Sequence, residues 1–331
     1  MKTPLRFAVL GGLALLALAV LPLVGRQALP LSVLLDFGGS EPSAIIFWQI
    51  RVPRALAAFF GGAGLALGGA VFQAIFRNPL ATPYTLGVAS GASLGVALAS
   101  RFGLSLVVLG LSTTSVAAFA GAMVAVGVIW ALTRLRPELS STTLLLAGVA
   151  MNFFFSSVVL FAQYTASLGD SYRIVRWLMG GLGGVDMGTV LRMAPVVALG
   201  GTVVLWHARK LDLLATGTEI AASRGVAVAP TRTLLFLATS VMVGGVVAAC
   251  GPVGFVGMMA PHICRLVVGS NHRVLLPASI LFGGAFLVLC DTAARVVIFP
   301  AELPVGVITA FLGAPFFLWL LVRRVGVARI G

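Results

Sequence analysis

The sequence predicts an all-α membrane protein with about ten transmembrane helices, and its composition leads to this fold class. Hydrophobic residues make up 60% of the 331 residues and charged residues only 9%, and the mean hydropathy is +1.10. A soluble domain of this size cannot bury so much apolar surface. The 40 glycines suit helices that pack closely in lipid, where no hydrophobic force drives them together.

Long apolar stretches mark the individual spans. A helix needs about 20 apolar residues to cross a bilayer, and we treat residues 1–331 as one transmembrane domain built from such stretches. The first stretch follows Lys2 and Arg6, exceeds the apolar part of a usual signal peptide and precedes no clear cleavage site, so we expect it to remain as a span. The predicted spans are 7–25, 55–75, 84–100, 105–132, 141–163, 190–206, 232–250, 255–268, 274–296 and 305–322.

The net charge of +13 is explained by topology. With both termini in the cytoplasm, most Lys and Arg residues fall in inner loops, as the positive-inside rule requires. No basic run is interleaved with aromatic residues, so we expect no nucleic-acid partner. The sequence therefore predicts a multi-pass membrane protein in contact with lipid, with both termini in the cytoplasm.

Residues that carry catalysis or hold metals are sparse. The three cysteines lack Cys-x-x-Cys spacing, the three histidines lack paired spacing, and no P-loop or Gly-x-Ser-x-Gly motif is present. We therefore expect no catalytic residue, no metal site and no cofactor. Energy for uphill transport must then come from a partner or from an ion gradient.

An ion-coupled carrier usually keeps ionisable residues near the middle of the membrane. The acidic residues of this chain fall at the predicted span ends, except Asp291. Asp291 precedes Arg295 by about one helical turn, so the two can pair on one helix face. This pattern weakens the secondary-carrier hypothesis and favours a separate ATPase.

A polar loop at about 207–232 contains the pattern Glu219-Ile-Ala221-Ala222-Ser-Arg-Gly225. Glu and Ala favour helix, and a glycine after a short helix can adopt the left-handed conformation that ends it. A short helix in a loop between spans suggests a docking surface for a partner. The alternative is a solvated loop with some helical structure.

Further motifs lie along the chain at wide spacing. Arg51-Val-Pro-Arg54 precedes a span rich in glycine, with the proline placed in a first helical turn. The span ends in a turn with two prolines that begins at Asn78. The remaining motifs are Leu178-Met-Gly-Gly-Leu-Gly-Gly-Val-Asp186, Gly254-Phe-Val-Gly257, Pro261-His-Ile-Cys-Arg265, Asn271-His-Arg-Val-Leu-Leu-Pro277, Asp291-Thr-Ala-Ala-Arg295 and Glu302-Leu-Pro-Val-Gly306.

In their order and spacing, these motifs resemble the permease family that imports ferric siderophores, haem and vitamin B12, the FecCD family. The resemblance covers about Trp48 to Leu321 and is nearest to the vitamin B12 permeases of that family. It implies a type II ABC importer permease fold with ten spans per subunit. It also implies a homodimer with its pathway along the axis, two cytoplasmic ATPase subunits and a periplasmic substrate-binding protein.

The resemblance assigns roles to residues that match the family motifs. Arg51, Arg54 and Arg295 match outer-surface arginines that dock the binding protein, where a guanidinium can hold a carboxylate with two hydrogen bonds. The residues that match the ATPase-coupling motif are Glu219, Ala221, Ala222 and Gly225, and those that match the cytoplasmic gate are Asn78, Leu80, Ser141 and Thr142. For the gate residues, ordinary turn and helix-start chemistry is the alternative.

The cargo is the least determined feature. Arg173 and Arg176 are three residues apart in a segment that we expect to form a short periplasmic helix, where one face could hold an anion in the substrate pathway. This favours haem or another iron chelate, and cobalamin is the alternative. An ion-coupled carrier and a non-transporting membrane scaffold or sensor remain as functions of other classes.

Overall fold

The computed structural model describes residues 3–25, 27–39, 41–105, 107, 110–136, 140–298 and 301–327. These residues form an all-α structure in which the helices are joined by turns and short loops. The α-helices are α1 (Thr3–Val20), α2 (Pro42–Ile45), α3 (Val52–Ile75), α4 (Val88–Arg101), α5 (Thr113–Leu135), α6 (Ser141–Tyr164), α7 (Leu168–Leu178), α8 (Met187–Trp206), α9 (Ala208–Thr216), α10 (Thr218–Ser223), α11 (Val228–Cys250), α12 (Val256–Val268), α13 (His272–Val296) and α14 (Val305–Val327).

Each of the ten predicted spans overlaps one helix of this set, which confirms the predicted fold class. Six helical segments within the described residues are long and apolar enough to cross a membrane. Three shorter apolar segments, Leu5–Val20, Val256–Val268 and Val305–Leu320, also coincide with predicted spans. The protein is therefore a multi-pass membrane protein.

Several predicted boundaries are wrong. The span predicted at 55–75 is part of a continuous 34-residue helical segment, Pro42–Ile75, because α2 and a π-helical turn lead directly into α3. The span predicted at 105–132 begins at Thr113, where the Ser112 side chain accepts a hydrogen bond from the Ser115 amide. Such a cap satisfies a backbone donor that has no partner inside the helix.

Glycine contacts hold the centre of the bundle together. A Cβ atom at Gly62 of α3 would overlap the carbonyl oxygen of Gly283 in α13, and one at Gly69 would overlap that of Gly257 in α12. Because neither position has a side chain, the three backbones approach each other directly. Gly62 and Gly69 of this glycine-rich span are thus buried against α13 and α12, whereas its other glycines face mainly side chains of α8 and α11.

The bundle has two polar ends. The first, which we call the loop end, carries residues 207–232 with α9 and α10, the turn after α3 and the start of α13. The second, which we call the α7 end, carries α7, the start of α3 and the end of α13. Because α3 and α13 pack side by side along their length, they connect the two ends.

Candidate docking and transport sites

A buried ionic network lies at the α7 end. The Arg54 Nε atom donates to Asp291 Oδ1 at 2.9 Å, and its Nη1 atom donates to Glu302 Oε2 at 2.7 Å. The Arg295 Nε atom lies 3.3 Å from Asp291 Oδ2, which confirms the expected pairing one turn apart on α13. Asp291, only 1% exposed, is thus held between two guanidinium groups from different helices.

Arg51 and Arg295 bind the end of the first helix. Arg51 donates to the carbonyl oxygens of Pro22, Leu23 and Gln27, and Arg295 donates to those of Val24 and Leu21. These carbonyls follow α1, where the last oxygens of a helix have no partner inside it. The two arginines therefore fasten the chain after α1 to the helices α3 and α13.

From the sequence, we expect Arg51, Arg54 and Arg295 to be surface residues. That expectation of exposure is wrong, since the three are 7%, 5% and 7% exposed. The physical reason is that Asp291 and the carbonyls after α1 satisfy these guanidinium groups inside the chain. Their role in docking a binding protein stays a prediction.

A cleft of about 690 Å³ opens at the α7 end. Arg173 and Arg176 of α7 line it together with Arg54 and Glu302, so the structure places the predicted pathway arginines beside the ionic network. Arg173 is 73% exposed and forms an ion pair with Asp170. Both arginines lie on a short helix, as expected from the sequence.

The start of α7 is capped, and the cap shifts a pKa. Ser167 accepts a hydrogen bond from the Asp170 amide and donates from its hydroxyl to the Asp170 carboxylate at 2.7 Å. The hydrogen bond from Ser167, followed by that from Arg173, lowers the pKa of Asp170 because both favour the charged carboxylate. Asp170 therefore remains the anionic partner of Arg173 at neutral pH.

At the loop end, α10 ends as the sequence predicts. Gly225 has φ +80°, its amide donates to the Ala222 carbonyl at 2.9 Å, and the Val226 amide donates to the Ala221 carbonyl at 3.0 Å. These two bonds define a Schellman motif, which glycine in the left-handed conformation favours. Glu219, Ala222 and Gly225 are exposed, whereas Ala221 is fully buried. Ala221 thus lies on the buried side of α10, and the other three residues lie on its accessible side.

The loop is anchored to the bundle by a pair that the sequence does not predict. Asp212 of α9 accepts hydrogen bonds from the His272 backbone amide at 2.8 Å and pairs with the His272 Nδ1 atom at 2.6 Å. No second histidine or cysteine stands at metal-binding spacing from His272, so the sequence gives no signal for its role. Its actual partner is 60 residues away, and only the tertiary structure reveals such a pair.

The four predicted gate residues also lie at the loop end. The Asn78 side chain accepts a hydrogen bond from the Leu80 amide at 2.9 Å, which holds the turn after α3, and Leu80 is 41% exposed. Ser141 and Thr142 form the first turn of α6, which Ser140 caps by accepting from the Thr143 amide. Turn and cap chemistry therefore accounts for their local structure, and the gate role stays a prediction.

Comparisons with known proteins agree with this architecture. A family model described as the FecCD transport family matches residues 12–323. The chain is 44% identical over 291 residues to the cobalamin import system permease protein of Halobacterium salinarum, covering 88% of this chain and 77% of that protein. It is 41% identical over 321 residues to the vitamin B12 import system permease protein of Klebsiella pneumoniae, covering 95% and 93%.

A solved structure gives the same result for the fold. An ABC transporter of the metal-chelate type, in an inward-facing conformation, aligns with a TM-score of 0.86 and 31% identity, covering 97% of this chain and 99% of that one. Sequence, family model and three-dimensional similarity thus agree over nearly the full length. The chain belongs to the FecCD transport family and is a permease subunit of an ABC importer.

Proposed function

We propose that two copies of this chain form a homodimeric pathway in the bacterial inner membrane, with both termini and the loop end in the cytoplasm. Two ATPase subunits bind the loop end and supply the energy, so the chain itself carries no ATPase activity. A periplasmic substrate-binding protein delivers a metal chelate to the α7 end. The observation that carries this proposal is the exposed helix α10, closed by the Schellman motif at Gly225.

The loop end has the features that an ATPase contact requires. Glu219, Ala222 and Gly225 are accessible on one short helix, and small residues allow a partner to approach the backbone closely. The Asp212–His272 pair joins the loop to α13. A displacement of α10 by the ATPase is therefore transmitted to the bundle rather than lost in a free loop.

The α7 end supports docking by Arg54. Its guanidinium is buried, but its Nη1 atom reaches Glu302, whose side chain is 52% exposed and lines the cleft. A carboxylate of the binding protein can replace Glu302 at this position. Arg51 and Arg295 then act by fixing the ends of α1, α3 and α13 around Arg54.

The exposed apolar faces support a second copy and a pathway. Phe153 and Phe161 of α6 are 72% and 68% exposed, and Phe311 of α14 is 73% exposed. Leu80 lines a small cavity together with residues of α14 that include Phe316 and Leu320. The predicted gate turn thus lies against α14, on a face that is not covered within the chain.

For the cargo, a corrinoid such as vitamin B12 is favoured. The similar permeases from Halobacterium salinarum and Klebsiella pneumoniae carry cobalamin or vitamin B12 in their names. The charge of Arg173 is already balanced by Asp170, which weakens the case for an anion held by both arginines of α7. An anionic iron chelate or haem is the second candidate, because Arg176 and Arg54 line the cleft.

Reconstituted transport tests the ATPase role of the loop. We expect uptake into proteoliposomes only when ATP, the ATPase and the binding protein are all present. Gly225→Pro should uncouple ATP hydrolysis from uptake, because proline fixes φ near −65° and cannot adopt the observed +80°. Gly38→Pro is the matched control, since Gly38 is also exposed, has φ +79° and has open space around its Cβ position.

The same assay separates the function classes and the cargoes. Uptake that follows an ion gradient without the ATPase would establish a secondary carrier, and uptake by Gly225→Pro at the level of Gly38→Pro would refute the docking assignment. Radiolabelled vitamin B12 and a ferric siderophore or haem, each at equal concentration, identify the cargo. A preference for the iron compound would exclude the corrinoid proposal.

Association with the binding protein tests Arg54. Arg54→Gln should weaken binding to the permease in nanodiscs at low ionic strength, whereas Glu302→Gln should preserve or strengthen it by freeing the guanidinium. Arg134→Gln, an exposed arginine at the loop end, is the control for net charge. Equal binding by Arg54→Gln and Arg134→Gln would show that the buried network has a structural role only.

A further inference from the structure

A second polar cleft lies at the loop end, outside the loop surface already described. It has a volume of about 260 Å³ and is lined by Leu205, Trp206, Ala208, Arg209 and Arg273. These residues come from the end of α8, the start of α9 and the start of α13. The cleft therefore sits where a membrane-spanning helix, the loop and a second spanning helix meet.

The cleft carries positive charge that the chain does not balance. Arg209 and Arg273 are both exposed, and neither side chain forms an ion pair with a residue in the described part of the chain. Asp212 is the only acidic residue of α9, and it is bound to His272. Two guanidinium groups that converge on one cleft favour an anion with several oxygens, such as a phosphate.

The position of the cleft identifies the source of that anion. Trp206 is 85% exposed and Leu205 is 39% exposed, and both end the apolar helix α8. Tryptophan is enriched where membrane helices meet the lipid headgroups, because its ring is apolar and its N–H is polar. For a cleft bordered by such a residue we expect a position at the depth of the headgroups, and exposed apolar surface of α8 lies beside it.

We propose that this cleft binds the headgroup of an anionic phospholipid. The phosphate accepts hydrogen bonds from Arg209 and Arg273, and the acyl chains lie along Leu205 and the apolar surface of α8. Basic pockets between membrane helices are suited to such headgroups. An acidic surface of the ATPase is a different partner for the same arginines, but the apolar border formed by Trp206 and Leu205 favours lipid.

The bound lipid would also connect two helices of the loop end. Arg209 belongs to α9 in the loop and Arg273 to α13, the same two helices that the Asp212–His272 pair joins. A phosphate between the arginines would add a second bridge beside that pair. Anionic lipid would then hold the loop against the bundle in the position that α10 needs for docking.

Native mass spectrometry of the full-length permease, titrated with phosphatidylglycerol or phosphatidylcholine in detergent, tests the proposal. We expect phosphatidylglycerol to bind more tightly than phosphatidylcholine. The double variant Arg209→Gln with Arg273→Gln should bind it roughly thirtyfold more weakly, since each juxtamembrane cation contributes modestly to binding of anionic lipid. The control is Arg134→Gln with Arg224→Gln, which removes the same charge from exposed positions at the same end.

Four results would overturn the proposal. The first is equal affinity of the wild type for both lipids, and the second is equal loss of phosphatidylglycerol binding in the double variant and its control. The third is displacement of phosphatidylglycerol by inorganic phosphate at equal concentration, which would identify a site for free phosphate. If the double variant keeps its lipid but fails to bind the ATPase, the arginines belong to the ATPase contact and the lipid assignment falls. A thermal unfolding midpoint equal to that of the wild type ensures that the variants are folded.

Discussion

The pair of helices α3 and α13 differs from the pair α5 and α6 in burial but hardly in mean hydropathy. The most apolar windows of the four segments have mean hydropathies between 1.8 and 2.2. Yet 83% and 61% of the residues in the windows containing α3 and α13 are buried within the chain, against 28% and 22% for α5 and α6. Hydropathy thus identifies a helix that enters the membrane and does not tell whether protein or lipid surrounds it.

Small residues explain part of this difference. Gly62 and Gly69 of α3 fit directly against the backbones of α13 and α12, while Gly127 of α5 has no atom within 4 Å of its Cβ position. Close backbone approach allows many weak contacts between two helices. Gly127 therefore has no packing role within the chain, although Gly121 of the same helix lies directly against the backbone of Gly91 in α4.

Polar residues follow the same division. The α3 and α13 pair buries Arg54, Asp291 and Arg295 in one network, and no Asp, Glu, Lys or Arg lies in α6. Charges inside a membrane protein are costly unless they are paired within the bundle. The pair of α3 and α13 is thus suited to connect the loop end rigidly to the α7 end. The pair of α5 and α6 is suited to contact lipid or a second copy.

Among the tests of this comparison, removal of Asp291 should cause the largest loss in the free energy of unfolding. Asp291→Asn would remove the carboxylate that lies between Arg54 and Arg295, and the loss of one partner from a buried ion pair costs about 3–5 kcal/mol. The free energy of unfolding in detergent should fall by this order. Glu302→Gln removes a half-exposed partner of the same arginine and should cost about 1 kcal/mol or less. Equal costs for both variants would show that the network is not central to stability.

A glycine-to-alanine substitution should lower the stability of the protein in the central helix pair and leave it nearly unchanged in the peripheral pair. Gly62→Ala would place a Cβ against the Gly283 carbonyl, and such overpacking costs about 1–3 kcal/mol. Gly127→Ala in α5 meets open space and should be neutral or slightly stabilising, because alanine favours helix over glycine. Thermal unfolding of both variants measures the difference. A neutral Gly62→Ala would mean that α3 and α13 can move apart freely.

Crosslinking tests whether a second copy covers α6. The native cysteines are buried, so Thr142→Cys, at an exposed position in the first turn of α6, provides a specific thiol. We expect disulfide-linked dimers with this variant and little change in stability. Val128→Cys, at an exposed position of α5, is the control. Equal crosslinking at both positions would indicate random collision in the detergent micelle rather than a two-fold interface.

The smallest effect should come from the cap of α7. A carboxyl with a lowered pKa contributes stability above its unfolded pKa, and this contribution is lost as the pH falls through the folded value. Amide exchange in Leu168–Leu178, corrected for intrinsic rates, should therefore increase as the pH falls below the ordinary Asp value of 3.8. Ser167→Ala removes the main cause of the shift and should reduce this pH dependence. Unchanged protection between pH 6 and pH 3 would contradict the assignment.

Much of the fold could be predicted because its signals are local. Each apolar stretch contains the information for its own helix, and the Glu219 to Gly225 pattern specifies both α10 and its end. Asp291 and Arg295 are one turn apart, so their pairing was also predictable. The helix starts at Thr113 and Pro42 are not predicted. Apolar residues precede Thr113, so the predicted span begins too early, and the helical segment from Pro42 extends the span predicted at 55–75 toward the N-terminus.

The sequence by itself determined that this chain is a helical membrane protein with a structured loop, because hydropathy and helix-ending glycines act over a few neighbouring residues. The tertiary structure decided which faces are buried and which partners the charges find. Arg54 meets Asp291 across 237 positions, and Asp212 meets His272 across 60. A residue's exposure and its distant partner depend on how all the helices pack together, and for that reason the surface arginines expected from the sequence proved to be buried.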